Sequence, residues 1–293
     1  MQNLIFAKNY KNNDTLRKSF FDLAANTFDI HFEHWYQQGC WGEGYIPFSL
    51  VDGDRVVANA SVNFLELIVH GQKKKAIQIG TVMTHPDYRG KGLSTRLMNL
   101  ILEEYENKCD LMYLFANESV LEFYPKFGFK AVEEHLFSMD FTEKPLTSAA
   151  ALRKLDITNA EDLHLIQKFA SQRLPVSQRF ATNHTSGIFM FYCLNVFSND
   201  IYYLEKEDVI VIYQRGDNHI DLFDVVSLNE IHMGDILRAV ADANTEKITF
   251  HFTPDDDQDL DLKRSINNDG LFVRTSGDHL YPMHVKHPIT SIA

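Results

Sequence analysis

Cysteine, long apolar runs and positive charge are all scarce in this sequence of 293 residues. The three cysteines, Cys40, Cys109 and Cys193, are odd in number and far apart, unlike a disulfide framework or a zinc site. No apolar run approaches the roughly 20 residues that a membrane-spanning helix needs. The first residues lack a basic stretch followed by a long apolar run, unlike a secretory signal. We therefore expect a reduced, cytoplasmic protein with no membrane partner.

The shortage of positive charge affects the choice of partner. The formal net charge is −12. Residues 1–145 carry 15 Lys/Arg against 19 Asp/Glu, and residues 146–293 carry 13 against 21. Phosphate binding needs basic surface, so a nucleic-acid partner is not expected. A cationic small substrate is compatible with this charge, although solubility alone also explains it. The sequence leaves a homo-oligomer open.

Hydrophobic periodicity predicts an α/β protein. The first half alternates strands with two helices, at residues 14–28, capped by Asp14, and 93–105. A third helix is expected at residues 118–126 and an irregular aromatic segment at residues 31–44. Strands are expected at residues 2–8, 46–51, 56–69, 76–84, 111–116, 129–132 and 136–141.

The second half repeats this order of elements. A helix at residues 159–171 precedes a hairpin, a strand, a helix at residues 235–243 and a final strand. The polar residues 142–149, with Pro145, form the predicted linker. We therefore predict two domains, residues 1–145 and 150–293, which are two copies of one fold.

A glycine-rich turn between a strand and a helix carries the main functional signal. Gly90 and Gly92 let the backbone approach a ligand, and the free N–H groups that open the following helix favour an anion such as pyrophosphate. Arg89 and Lys91 add positive charge. A P-loop is excluded because Gly92, and not Ser or Thr, follows Lys91, and a dinucleotide fingerprint is excluded because residue 95 is threonine.

This segment resembles the coenzyme-A motif of the GNAT superfamily of N-acetyltransferases, Arg/Gln-x-x-Gly-x-Gly/Ala. Arg89, Gly92 and Ser94 occupy its three positions, and Ser94 departs from the commonest residue while staying small. A second segment, in which Asn117 is followed by Tyr124-x-x-x-Gly-Phe, resembles the family's later motif. Its Tyr124 lies 35 residues after Arg89. The resemblance covers about residues 1–145.

The resemblance implies a fold and a cosubstrate. The fold would be two GNAT-like domains, each a mixed, mainly antiparallel sheet flanked by helices, and the cosubstrate would be acetyl-CoA, without a metal. The strand end would bind the pantetheine arm and the turn would bind the pyrophosphate. The implied cofactor-binding residues are Val82, Met83, Arg89, Gly90, Lys91, Gly92, Leu93, Ser94, Thr95 and Asn117.

Acetyl transfer to an amine by direct attack needs no enzyme nucleophile, only a proton donor for the leaving thiolate and a base. Tyr124 is the expected donor, because a phenol is protonated at neutral pH. The acceptor amine, on a small molecule or peptide, is expected near an aromatic segment whose polar residues, or a water chain to one of them, would supply the base. The candidate substrate residues are His31, Glu33, His34, Trp35, Trp41 and Glu43.

The second half lacks the glycine–arginine turn, and Glu230 and Asp235 would repel pyrophosphate where the repeat places it. An active domain followed by a degenerate copy resembles the layout of Eis-type enzymes. That resemblance implies that the terminal carboxylate, here on Ala293, reaches the active site. The acidic residues 255–261 lack the glycine and glutamate of an EF-hand, so they predict a solvated loop. A non-catalytic sensor of acetyl-CoA remains the alternative function.

Overall fold

Two β-sheets with helices packed on them form the structure, which we describe from a computed structural model. The described residues are 4–143, 152–256, 260–264, 269–277 and 279–293. The strands are β1 (Ile5–Lys8), β2 (Tyr45–Asp52), β3 (Arg55–Val69), β4 (Gln72–Thr84), β5 (Leu111–Asn117), β6 (Lys130–Val132), β7 (His135–Asp140), β8 (Leu152–Lys154), β9 (Phe180–Asn183), β10 (Ile201–Leu204), β11 (Val209–Arg215), β12 (His219–Ser227), β13 (Lys247–Phe250), β14 (Asp261–Arg264) and β15 (Asp269–Thr275).

Six α-helices accompany these strands in the part of the chain that the structure describes. They are α1 (Asp14–Phe28), α2 (Glu33–Gln37), α3 (Leu93–Tyr105), α4 (Ala160–Gln172), α5 (Ser186–Asn195) and α6 (Met233–Val240). No helix among the described residues is long and apolar enough to cross a bilayer.

Both sheets are mixed and mainly antiparallel. The first has the order β1-β2-β3-β4-β5-β15-β6, with β9 also paired to β3, and the second has the order β14-β7-β13-β12-β11-β10-β8. The parallel pairs are β4–β5 in the first sheet and β12–β13 in the second. The expected fold class, mixed sheets flanked by helices, is confirmed.

The two halves of the chain exchange strands. β7, from the first half, lies between β13 and β14 in the second sheet. In return, β15 lies between β5 and β6 in the first sheet and pairs with seven residues of β5. The domain boundaries near residues 145 and 150 and the repeat of one fold stay predictions, and residues 144–149 of the predicted linker lie outside the described part of the chain. Residues 257–259 of the predicted acidic loop also lie outside it.

Two helices lie where hydrophobic periodicity predicts them. α1 turns Phe20, Phe21 and Leu23 into the core, and α3 does the same with Leu97 and Ile101. The predicted cap of α1 is wrong by one residue. Asn13 is the cap, since its side chain accepts the Leu16 N–H at 3.1 Å, whereas Asp14 lies in the first turn and pairs with Arg17.

Other local expectations differ from the structure for identifiable reasons. The helix expected at residues 118–126 is two 3₁₀ turns, Glu118–Val120 and Tyr124–Phe127, because Pro125 has no N–H to continue a helix. α2 lies in a segment expected to be irregular. α5 was missed because it is apolar on most sides and shows little periodicity.

The largest hydrophobic core joins the two halves of the chain. Phe20 and Trp35 of the first half are buried in the same cluster as Phe169, Phe189 and Cys193 of the second. The stacked pair Phe20–Phe32 has a ring separation of 5.5 Å and lies within this cluster. The halves therefore share both strands and core.

This sharing predicts that residues 1–145 do not fold alone. The isolated fragment would lack β15, which leaves β5 and β6 with unpaired edges, and its core aromatics would be exposed. We expect a weak near-UV circular dichroism signal from the fragment, recovered when residues 146–293 are added. A 1–145 fragment with native dispersion in its NMR spectrum would contradict the prediction.

Candidate active site

A bulge in β4 shapes the centre of the first sheet. Ser61 of β3 pairs with Gly80, and Asn59 pairs with Met83, so two residues of β4 oppose one residue of β3. Thr81, the first of the two, has a φ of +46°. A bulge leaves an extra residue outside the ladder and re-aims the strand. The strand therefore changes direction between Gly80 and Met83.

A buried polar network holds this bulge. The Asn59 side-chain amide donates to the Thr81 carbonyl at 3.0 Å, and the Thr81 hydroxyl donates to Ser61 at 2.7 Å. Ser61 in turn donates to the Tyr45 hydroxyl at 2.9 Å. Asn59 and Ser61 are fully buried, and buried polar groups are costly unless paired. The unusual backbone at Thr81 is thus fixed by side chains of β2 and β3.

Beyond the bulge, β4 and β5 separate. Their parallel pairing ends at Gln78 and Tyr113, yet β4 runs on to Thr84 and β5 to Asn117. The separation opens a cleft of about 1050 Å³. Its lining includes Ile79, Gly80, Thr81, Val82, Met83, Thr84, Arg89, Ser94, Phe115, Asn117, Glu122, Tyr124, Ile292 and Ala293.

The mouth of the cleft fits an anion. Gly92, the residue before α3, has a φ of +72° and no side chain to cap the helix, so the first-turn N–H groups are available to a ligand. Arg89 lies in the lining and donates through Nε to the Thr84 carbonyl at 3.3 Å. The Thr84 and Ser94 hydroxyls, 2.9 Å apart, tie the strand end to the helix.

The ten predicted cofactor residues lie together. Val82, Met83, Arg89, Ser94 and Asn117 line the cleft. The other five, which are in the turn and the first turn of α3, are Gly90, Lys91, Gly92, Leu93 and Thr95. The Lys91 ammonium donates to the Asp87 carbonyl at 2.9 Å and lies over the Tyr88 ring.

Tyr124 lies in the wall of the cleft and is 5% exposed. Its ring packs against Phe272 of β15, with centroids 5.8 Å apart. Within the described part of the chain, no hydrogen bond occupies its hydroxyl. Burial raises the pKa of Tyr124 to about 12. The phenol therefore stays protonated at physiological pH and is free to donate.

A second cavity, of about 690 Å³, meets the first. It shares Ile30, Gly80, Thr81, Ile292 and Ala293 with the cleft. One wall comes from residues 30–45 with Asn63 and Phe64, and the other comes from α4 and residues 184–192. The Trp35 indole N–H donates to the Gly187 carbonyl at 2.7 Å and links the two walls. The second half of the chain thus closes one side of this cavity.

The predicted substrate residues divide into three groups. Trp35 and Glu43 line the cavity. Trp41 is 2% exposed and packs behind it, with its indole N–H on the Tyr45 carbonyl. The remaining three, His31, Glu33 and His34, are exposed outside the lining, where they hydrogen-bond to Asp29, Gln37 and Gln38, respectively. The structure does not bring these three to the cavity.

Ala293, the last residue of the sequence, lies where the two cavities meet. A Cβ built on Gly80 would be 2.9 Å from the carboxyl carbon and oxygen of Ala293, so only glycine allows this approach. The Ala293 N–H donates to the Gln78 side-chain oxygen. The backbone of Ala293 therefore packs directly on β4, beside the bulge.

A chain of buried hydrogen bonds fixes the Gln78 amide. Burial lowers the pKa of His287 to about 3, so its ring is neutral. Nδ1 lies 3.1 Å from the Pro288 carbonyl and must carry the proton, which makes Nε2 the acceptor for the Tyr113 hydroxyl at 2.9 Å. Tyr113 then accepts from Gln78 Nε2 at 2.9 Å, and Gln78 Nε2 also donates to the Ser291 carbonyl. The Gln78 oxygen is left to face Ala293.

The Gln78 network and α5 were missed by the sequence analysis. Gln78 offered a signal, because it is one polar residue inside an apolar strand. His287 and Ser291 offered none, since they follow the predicted elements and acquire meaning only when the tail packs on β4. Among the described residues, no group of three or more His, Cys, Asp or Glu is arranged to hold a metal ion.

Comparison with known proteins assigns part of the chain. The model of the acetyltransferase (GNAT) domain matches residues 18–132. N-alpha-acetyltransferase 50 of Danio rerio is 36% identical over 69 residues, which are 22% of this chain and 41% of that protein. The match therefore spans less than half of that relative.

Solved structures extend the likeness in fold to almost the whole chain. A probable N-acyltransferase of Enterococcus faecalis V583 has a TM-score of 0.58 at 15% identity and covers 94% of this chain and 73% of its own. Eis1 of Mycobacterium abscessus has a TM-score of 0.58 at 12% identity, and the match covers 93% of this chain and 73% of the Eis1 chain. Residues 18–132 therefore match the GNAT acetyltransferase domain, and the likeness of the whole chain to these solved structures, at 12–15% identity, is one of fold.

Proposed function

We propose that this protein transfers the acetyl group of acetyl-CoA to a primary amine by direct attack. The observation that carries the proposal is the meeting of two cavities at Gly80, Thr81 and Ala293. One cavity opens at an anion-binding helix terminus, and the other is lined mainly by apolar side chains. Two substrates that enter from opposite sides would place their reacting atoms at this junction.

Acetyl-CoA fits the cleft between β4 and β5. Its pyrophosphate would accept from the first-turn N–H groups of α3 and from Arg89, and its pantetheine arm would run along Val82 and Met83. Backbone N–H groups of the bulge around Met83 are our candidates for donors to the thioester oxygen, which gains negative charge in the transition state.

Two proton transfers accompany the transfer of the acetyl group, one from the amine nitrogen and one to the departing thiolate. The amine lone pair attacks the thioester carbon, a C–N bond forms, and the C–S bond then breaks. The nitrogen loses one proton to a base, and the departing thiolate takes one proton from the Tyr124 hydroxyl. Tyr124 recovers its proton through solvent, so the products are the N-acetyl amine and coenzyme A.

We propose the Ala293 carboxylate as the base. It lies on Gly80 at the junction, whereas His31, Glu33 and His34 lie outside the acceptor cavity. Glu43 lines the cavity and is exposed, so a water chain to it is the competing route. The proposal requires the mature protein to end at Ala293, and intact-mass measurement tests this requirement before any kinetic experiment.

A screen of primary amines for thiol release from acetyl-CoA tests the function directly. Amine-dependent release with formation of the N-acetyl product is expected. Tight binding of acetyl-CoA with thiol release that no amine accelerates would contradict the enzyme and favour a sensor of acetyl-CoA.

Arg89→Ala should weaken coenzyme-A binding by about 10- to 150-fold, because a charge-assisted hydrogen bond contributes roughly 1.5–3 kcal/mol. Arg96→Ala is the matched control, since Arg96 is exposed on α3 and does not line the cleft. Calorimetry measures both dissociation constants. Equal affinities in the two variants would place the pyrophosphate elsewhere.

Tyr124→Phe should lower kcat by about 10²- to 10⁴-fold, the usual contribution of a positioned acid, with little change in the acetyl-CoA dissociation constant. Because burial raises the pKa of Tyr124 to about 12, the parent should retain its protonated donor and show no alkaline loss of kcat up to about pH 10. A fall in kcat near pH 9 that is absent in Tyr124→Phe would show that the pKa of the Tyr124 hydroxyl is not raised by burial, and it would contradict this description. Thermal unfolding at each pH serves as the control.

One glycine added after Ala293 should lower kcat at least tenfold while the KM for acetyl-CoA stays within about twofold, because the carboxylate leaves the junction. Gln78→Leu should act in the same direction by removing the amide that holds Ala293. Thr182→Val is the control, because it removes a hydrogen bond to Ser291 in the same tail without touching the last residue. Full activity of the extended protein would exclude the tail from the chemistry.

A further inference from the structure

The wall of the acceptor cavity is aromatic and comes from both halves of the chain. Phe32, Trp35, Tyr45, Phe64, Phe191 and Tyr192 all line it. Phe32 and Phe191, from opposite halves, have ring centroids 5.6 Å apart, and Trp35 and Tyr45 pack edge to face at 5.6 Å. These contacts hold the rings in place, so the wall is preorganised for an apolar body.

The polar atoms of Trp35 and Tyr45 in this wall are already paired within the protein. The Trp35 indole N–H is bound to the Gly187 carbonyl, and the Tyr45 hydroxyl accepts from Ser61. An acceptor molecule that carries many hydroxyl or ammonium groups would therefore lose hydration without regaining hydrogen bonds from these two residues.

Negative charge is equally limited. Among the described residues that line the cavity, Glu43 supplies the one side-chain carboxylate, and the proposed terminal carboxylate of Ala293 would add one more at the junction. His184 also lines the cavity and lies 3.5 Å from Glu66. A single ammonium group can pair with Ala293 as it enters, but three or more would leave charges unpaired against aromatic rings.

From these observations we infer that the acceptor is a small primary amine that carries one positive charge on an apolar or aromatic body, and that polycationic amines are poor substrates. The inference rests on the proposed function and names its substrate class. The cavity volume of about 690 Å³ is typical of a small-molecule site and leaves room for a body larger than a short alkyl chain.

The test compares amines with saturating acetyl-CoA. Butylamine, hexylamine, octylamine and phenethylamine are measured against spermidine and kanamycin, with thiol release as the signal. Burial of each methylene should raise kcat/KM about twofold to fourfold along the alkyl series. The best monoamine should exceed both polycations at least tenfold.

Two variants on α5 test whether the aromatic wall causes the preference for monoamines over polycations. Phe191→Asp places a carboxylate in the wall and should lower kcat/KM for hexylamine at least tenfold. The ratio of kcat/KM for hexylamine to kcat/KM for spermidine should also fall. Val196→Asp is the matched control, because Val196 caps the end of α5, is 51% exposed and does not line the cavity. Both variants should bind coenzyme A like the parent. If Phe191→Asp does not fold, Phe191→Leu should still lower turnover of phenethylamine more than that of butylamine.

The outcomes separate this inference from the proposed function. Faster turnover of spermidine or kanamycin than of every monoamine would overturn the substrate class and leave the acetyltransferase activity standing. A peptide with an apolar first residue that reacts tenfold faster than any free amine would also overturn it, since the acceptor would then be a protein N-terminus. Acetyl-CoA binding without acceleration by any amine or peptide would overturn both.

Discussion

The separation of β4 from β5 beyond Gln78 is the constraint on which the site depends. Neighbouring parallel strands normally satisfy each other's backbone N–H and C=O groups, but the pairing of β4 with β5 ends at Gln78 and Tyr113. The bulge at Thr81 turns β4 away, and the resulting cleft is the place for an extended ligand. A bulge of this kind needs support from its surroundings. The buried Asn59 and Ser61, together with Tyr45, provide that support from the neighbouring strands.

The second half of the chain completes this site as well as covering it. Gln78 is the last residue of β4 that pairs with β5, and it binds the tail through Ser291 and Ala293. α5 supplies one wall of the acceptor cavity, and β15 supplies Phe272, which packs on Tyr124. Because strands are exchanged in both directions, the position of the tail on β4 is coupled to the integrity of both sheets. A change far from the junction, such as one in β15, can therefore move groups on both sides of it.

The sequence was sufficient for the parts of the site that depend on local pattern. The turn from Arg89 to Ser94 and the helix that follows it were predicted because glycines, charge and a 3.6-residue period occur together within a short segment. The placement of β7, β15 and the tail was not predictable in this way, since strand exchange depends on contacts between residues more than a hundred positions apart. His31, Glu33 and His34 were chosen because they lie in the segment where the resembled family often builds its acceptor pocket, and no periodicity indicated which side of α2 faces the cavity.

The acceptor cavity and the cleft differ in the kind of charge that their lining groups can stabilise. The cleft has the first-turn N–H groups of α3 and the Arg89 side chain at its mouth, and these groups would suit the pyrophosphate of the proposed cosubstrate. The acceptor cavity offers aromatic rings and few carboxylates, so an amine that enters it loses water before it reaches the junction. Desolvation disfavours the ammonium form and thus lowers the pKa of the amine, while a carboxylate at Gly80 would receive the released proton. In the proposed reaction the apolar cavity would therefore favour the neutral, nucleophilic amine, and the carboxylate at the junction would act only after the attack, as the acceptor of the released proton.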